Sequence, residues 1–199
     1  MIEVEKKFNL KGDDEKRLIN GAEFICETVF TDVYYDNAGY SLTTNDKWLR
    51  SRNNNFELKL SLDKNAERVG DLYEEIENDA EIKKILNLSD VGSMEASLEE
   101  DGYSKFCTCK TTRKKYKKNG FGIDVDFVEY NDDFIYELAE IEIMVEDKSE
   151  MAKALEKIID FAKENNLEIG YVRGKVLVYL KNRSPDHFQA LVKSGVIKE

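Results

Sequence analysis

Residues 2–10 alternate apolar and charged side chains with a period of two: Ile2, Val4, Phe8 and Leu10 share one face, with Lys6 among them, and Glu3, Glu5 and Lys7 share the other. Successive side chains of a β-strand point to opposite faces, so this period specifies a strand with one oily and one charged side. The layout returns along the chain. Trp48, Arg50 and Arg52 share a face in a strand over 47–52, and Glu57 and Lys59 oppose Phe56, Leu58 and Leu60 over 55–62. Tyr73, Glu75 and Glu77 oppose Leu72 and Ile76 over 69–77, and Asp124 and Asp126 oppose Phe121, Ile123, Val125 and Phe127 over 120–129. Glu140 and Glu142 oppose Ile141, Ile143 and Val145 over 135–146. Strands are also expected over 22–34 and 102–117, the second carrying Arg113 and Lys115 as alternate residues. Asn119-Gly120, set between two such runs, is a two-residue hairpin signal.

Helices are expected over 13–20, 79–87, 89–95, 149–165, 174–182 and 185–194. The clearest is 149–165, where Met151, Ala154, Leu155, Ile158, Ile159 and Ala162 recur at three- and four-residue spacing. Ser149 is its expected N-cap. Many antiparallel strands with few helices predict an α+β fold, a barrel or curled sheet with helices packed outside.

A sheet with one face on a core and the other in water is the plainest account of this alternation. The grouping of charges goes beyond it. They come as like pairs, Glu-x-Glu, Arg-x-Arg, Asp-x-Asp and Glu-x-Glu, and neighbouring like charges repel. A surface built only for solubility intersperses its signs. Clustered carboxylates suit a hard divalent cation, and clustered Arg and Lys suit phosphate oxygens. A metal-bridged polyphosphate needs both.

Composition narrows the alternatives. The 199 residues suit one domain or two small ones. A net charge of −11 argues against a nucleic-acid partner. Cys26, Cys107 and Cys109 are too few for a disulfide framework, and Cys107-x-Cys109 without further Cys or His makes a poor zinc site, so the pair is read as interior filling. No apolar run approaches the ~20 residues of a spanning helix, and the first residues have no basic-then-apolar signal pattern. A cytoplasmic protein with no membrane partner is the expectation. The lone His187 is expected at a surface or capping position, and Lys114–Lys118 as a solvated hairpin end.

Glu3-Val4-Glu5-Lys6-Lys7 resembles the Glu-x-Glu-x-Lys signature of the CYTH, or triphosphate tunnel metalloenzyme, superfamily, and the likeness extends to its animal-type thiamine triphosphatase branch. The similar segments are Ile2–Phe8, Tyr34-Tyr35-Asp36, Ser41-Leu42, Trp48–Arg52, Glu57-Leu58-Lys59, Thr111-Thr112-Arg113, Ile123–Asp126, Glu140-Ile141-Glu142, Ala154–Ile158 and Lys175–Leu180. They run in order over nearly the whole chain. Two departures are a longer Phe127–Leu138 segment and the basic Lys114–Lys118 stretch.

The resemblance implies a single CYTH domain over 1–199: an eight-stranded antiparallel closed β-barrel, open as a triphosphate tunnel, with helices outside. It implies Mg²⁺-dependent hydrolysis of thiamine triphosphate, with Mn²⁺ as a substitute, by a monomer. Glu3, Glu5, Asp124, Glu140 and Glu142 match the metal-binding carboxylates. Lys7, Arg50, Arg52, Lys59, Arg113 and Lys175 match the triphosphate ligands, and Glu75 belongs with the substrate-binding set. Trp48 matches an aromatic that stacks on the thiamine ring system, and Tyr34 a tyrosine that works beside Lys59. The proton of the attacking water goes to a carboxylate such as Glu5, or to a Lys59 depressed by neighbouring cations. The competing readings are an inorganic tripolyphosphatase, a non-catalytic phosphate-ligand module and an adenylate cyclase.

Overall fold

A computed structural model describes residues 2–61, 73–131 and 134–198. The strands are β1 (Ile2–Asn9), β2 (Glu23–Asn37), β3 (Lys47–Arg52), β4 (Asn55–Ser61), β5 (Tyr73–Ile76), β6 (Tyr103–Lys118), β7 (Phe121–Tyr130) and β8 (Ile135–Val145). The helices are α1 (Asp14–Ile19), α2 (Asp79–Leu86), α3 (Met94–Glu100), α4 (Met151–Glu164), α5 (Lys175–Arg183) and α6 (Pro185–Ser194). The strands form one sheet in the hydrogen-bonded order β1-β8-β7-β6-β2-β3-β4-β5. The β1·β8, β7·β8, β2·β3, β3·β4 and β4·β5 pairs are antiparallel. The order has two ends, β1 and β5, so among the described residues the strands form an eight-stranded sheet and not the closed barrel expected. Residues 62 and 69–72 of the expected strands lie outside the described residues.

Contacts group the chain into two compact units. In the first, built from residues within 2–29 and 110–174, the oily faces of β1, β7 and β8 pack on α4. Val4, Phe8, Ile123, Val125, Ala139 and Ile141 meet Ala154, Ile158, Phe161 and Ala162 in one core. Full burial of each large apolar side chain is worth about 1.5–3 kcal/mol, which fixes the strand register, because a one-residue slip would turn these groups to the opposite face. Asn119 and Gly120 both adopt positive φ, 53° and 84°, as the tight β6–β7 hairpin requires. The cap that opens the α4 region is Asp147 rather than Ser149: its carboxylate accepts the Ser149 N–H, and Glu150 reaches back to the Asp147 N–H. The basic stretch is also more than a solvated hairpin end. Lys118 Nζ donates to the Leu18 carbonyl and to Asn165 Oδ1, at 2.8 and 2.9 Å.

The second unit, within 30–109 and 175–198, has a core on each face of its strands. Tyr35, Leu49, Phe56, Leu58 and Ile76 pack with Ile82 of α2 and Met94 and Leu98 of α3. Trp48 packs with Leu180 of α5, Phe188 and Leu191 of α6, and Ile197. The expected 89–95 helix lies later, at Met94–Glu100, because Ser93 caps it by accepting the Ala96 N–H. Ser89 is drawn instead onto the Asp101 carboxylate by its N–H and hydroxyl, at 2.6 and 2.9 Å. His187 is not at the surface. The apolar face of α6 carries it inward, 1% exposed, stacked on Tyr40 at 3.9 Å and hydrogen-bonded to Thr43 Oγ1 at 2.7 Å. Cys107 and Cys109 are buried, as interior filling requires.

Candidate active site

The charged side chains form two groups, one in each unit. The first stands on β1, β8, β7 and β6. The β1–β8 register sets Glu5 opposite Glu142 and Lys7 opposite Glu140, and the β7–β8 register sets Asp124 opposite Glu140. Four of the expected metal ligands thus fall on neighbouring rungs, with Glu3 one alternate position beyond Glu5.

Their counter-charges are three cations. Lys7 Nζ donates to Glu5 at 2.5 Å and lies 3.8 Å from Glu140. Arg113 spreads its guanidinium over three carboxylates, donating to Asp124, to both oxygens of Asp126 and to Glu140, at 2.6–2.7 Å. Lys115 reaches Asp124 at 2.9 Å. Among the described residues these three cations face Glu3, Glu5, Asp124, Asp126, Glu140 and Glu142, and three of the carboxylates are raised. Burial, the hydrogen bond with Glu3 and the charges of Asp124 and Glu3 push Glu142 up to about 8, against the pull of Lys115. Burial also raises Glu5 despite Lys7, and Asp124 despite Arg113 and Lys115. Buried carboxylates held above their usual range are a donor set that a hard divalent cation would relieve.

The second group stands on β2 to β5 and the start of α5. Three cross-strand rows organise it: Asp32–Arg52, Tyr34–Arg50–Glu57 and Trp48–Lys59–Glu75. Asp32, fully buried, accepts two hydrogen bonds from Arg52, at 2.7 and 3.1 Å, and pairs with Lys175 at 2.8 Å. The Phe30 ring lies beneath both cations, 4.2 Å from the Arg52 guanidinium carbon and 4.8 Å from the Lys175 nitrogen. Burial opposes ionisation of Asp32, yet the Arg52 hydrogen bond and the Lys175 and Arg50 charges hold it well below the usual carboxylate range. Arg50 pairs with Glu57 at 2.6 Å, while its Nε is buried without a hydrogen-bond partner. Lys59 bonds Glu75 and lies 3.7 Å from Glu57. It is flanked by carboxylates, not by the cations expected around it. Glu75 is lowered, Lys59 and the two arginines overcoming the effect of burial.

Tyr34 is buried, and its phenol is pushed far up by burial and by Asp32, so it keeps its proton. Its cross-strand neighbour is Arg50 and not Lys59. Trp48 shares the arginine face but is 7% exposed beneath α5 and α6, with Nε1 donating to Asp46 at 2.8 Å. Among the described residues the tightest carboxylate trio is Glu57, Glu75 and Glu77, with ligand atoms within 4.8 Å of one another. It lies outside the expected metal set.

The expected site set left out Asp32, Asp126 and Lys115. Period two puts Asp126 beside Asp124 and Lys115 beside Arg113, and the same count puts Asp32 in phase with Tyr34.

Over its full length the chain is 28% identical to the thiamine-triphosphatases of Macaca fascicularis and Homo sapiens, covering 93% of each. Among solved structures, a protein from Pyrococcus horikoshii OT3 superposes with a TM-score of 0.66 at 24% identity, over 92% of this chain and 100% of that one. A Hippeastrum protein studied as an adenylyl cyclase, with a dominant triphosphatase activity, superposes with a TM-score of 0.57 at 17% identity, over 90% and 94%. These structural likenesses establish the fold. The CYTH domain family matches residues 1–170, and the chain belongs to that family.

Proposed function

We propose that this protein hydrolyses thiamine triphosphate to thiamine diphosphate and phosphate with a divalent cation, Mg²⁺ or Mn²⁺. The observation that carries the reading is the gathering of Glu5, Asp124, Glu140 and Glu142 on neighbouring rungs of β1, β7 and β8, and of Arg50, Arg52 and Lys59 on neighbouring rungs of β3 and β4 with Lys175 paired to Asp32 beside them. The curated relatives bear that activity in their names.

Glu3, Glu5, Asp124, Glu140 and Glu142 would hold the cation. A divalent cation held there would supply charge neutralisation for phosphate oxygens. Arg50, Arg52, Lys59 and Lys175 take the triphosphate, which carries about four negative charges near neutrality. Lys7 and Arg113 neutralise carboxylates and would be available to phosphate with a cation in that set. Asp32 and Phe30 hold Arg52 and Lys175 in place, so their ordering is complete before substrate arrives. Tyr34 donates a hydrogen bond. The attacking water passes its proton to a carboxylate of this set, Glu5 being the candidate from the sequence. Lys59, held by Glu75, orients phosphate. The closed barrel of the family is the finer form proposed for the sheet. The reading also takes the chain as one domain and a cytoplasmic monomer, without nucleic acid or membrane. Its net charge of −11 agrees with the first of these exclusions, and among the described residues no helix is long and apolar enough to cross a membrane.

The burial of Trp48 favours a second reading, an inorganic tripolyphosphatase, which needs no aromatic stack. Phosphate release from thiamine triphosphate, tripolyphosphate and ATP, measured side by side with Mg²⁺ and with excess chelator, separates the two. Thiamine triphosphate is expected to be the preferred substrate, with activity lost in chelator and in Glu5→Gln. Full turnover in chelator would remove the metal from the mechanism.

A further inference from the structure

Gly122 stands opposite Glu142 in the β7–β8 register, and Glu142 stands opposite Glu5 in the β1–β8 register. A Cβ on Gly122 would lie 2.6 Å from both Cγ and Oε1 of Glu142 and 3.0 Å from its Cδ. These approaches are well inside van der Waals contact. The Glu142 side chain therefore occupies the space that any other residue at 122 would fill. The backbone does not demand glycine: Gly122 is absent from the chain's positive-φ glycines, whereas its neighbour Gly120 is among them. Mid-strand glycine weakens a strand and marks a place where another group comes close. Here that group is a carboxylate that hydrogen-bonds Glu3 and feels the charge of Asp124.

We infer that Gly122 is a positioning residue: its missing side chain seats the Glu142 carboxylate across β7, with Glu3, Glu5 and Asp124, in the group that takes the divalent cation. The inference rests on the metal reading above. The three atoms nearest an alanine Cβ at 122 all belong to the flexible Glu142 side chain, so the fold survives and Glu142 swings away.

The test is calorimetric titration of Mn²⁺ into the full chain, freed of metal, for wild type, Gly122→Ala, Glu142→Gln and the double variant. Gly122→Ala is expected to weaken Mn²⁺ binding about tenfold or more, close to Glu142→Gln. The double variant should be no weaker than Glu142→Gln alone, since both changes remove one ligand. Without metal, the melting temperature of Gly122→Ala should equal or exceed that of wild type, because alanine restricts the unfolded chain. Wild-type affinity in Gly122→Ala beside a weakened Glu142→Gln overturns the positioning role and leaves the metal reading standing. So does a lowered melting temperature with unchanged affinity, which would make Gly122 a packing residue. A wild type that binds no Mn²⁺, or one indifferent to both substitutions, overturns the assignment of the cation to this group and the inference with it.

Discussion

In the β1–β8–β7 region Glu5, Asp124 and Glu142 are pushed up the pH scale, while in the β2–β5 region Asp32 and Glu75 are pulled down. Burial acts the same way on all five, raising each. The difference is the count of neighbours. Arg113, Lys115 and Lys7 pair with Glu5, Asp124, Asp126 and Glu140 while Glu3 and Glu142 stand beside them, whereas Asp32 alone receives Arg52 and Lys175 and feels Arg50. Residue type therefore does not tell what a charged cluster is for. The pairing does: in the first region carboxylates are raised despite their cations, and in the second Arg50, Arg52, Lys59 and Lys175 each pair with a carboxylate.

The largest expected effect breaks this comparison by removing one hub from each region. Arg113→Met should cost about 3–5 kcal/mol of stability, because buried carboxylates lose their partner. Millimolar Mg²⁺ should restore part of it and tripolyphosphate alone should not. Asp32→Asn should cost a similar amount, about 3–5 kcal/mol by the same argument, and here tripolyphosphate should restore stability while Mg²⁺ does not. Urea unfolding of each variant with each ligand reads the result. Rescue by the same ligand in both would mean that the regions do not differ in kind.

A pH series of the metal-free protein sharpens the contrast. Folded Glu142 keeps its proton up to about 8, while an unfolded glutamate loses it near the usual 4.5. Between those values the folded state binds more protons, so this group makes stability fall as pH rises through the window. Asp32 acts oppositely. Its folded value lies below the usual 3.8, so its contribution is present above that pH and lost in more acid solution. Melting temperatures should thus decline from about pH 5 to about pH 8, with the slope flattened by Glu142→Gln or by Mg²⁺. Asp32→Asn should alter only the acid limb. A slope unchanged by Glu142→Gln would place the excess charge elsewhere.

The smallest effect concerns Trp48→Phe, which keeps most of the packing under α5 and α6 but loses the bond to Asp46. A cost of about 1–2 kcal/mol in urea unfolding is expected, the range for a lost hydrogen bond with minor repacking. kcat/KM should change equally for thiamine triphosphate and tripolyphosphate. A several-fold loss confined to thiamine triphosphate would show that the indole reaches the thiamine ring.

The strands were legible because alternation is a local signal. β1, β3, β4, β7 and β8 fall within about a residue of the expected positions, since each carries its own oily and charged faces. The Asn119-Gly120 hairpin was legible for the same reason: two residues suffice to set the turn. The α3 boundary was not, because Ser89 is drawn to Asp101, twelve residues away. The burial of His187 was missed on the same ground, because Tyr40 and Thr43, far earlier in the chain, pack on it. What covers Trp48 is decided by α5 and α6, from the far end of the sequence.

The sequence by itself determined which side chains share a face, and hence that acidic and basic residues would gather on strands of a CYTH-like sheet. Period two is enough for that, because a strand has only two sides. Tertiary structure alone decided who neutralises whom. Arg113 spans Asp124, Asp126 and Glu140 because the β7–β8 register brings those carboxylates together. Asp32 holds Lys175 because α5 begins there, although more than a hundred residues separate them in the chain. Register and helix docking are long-range choices made by the burial of apolar faces, and the charges take their partners from where those faces come to rest.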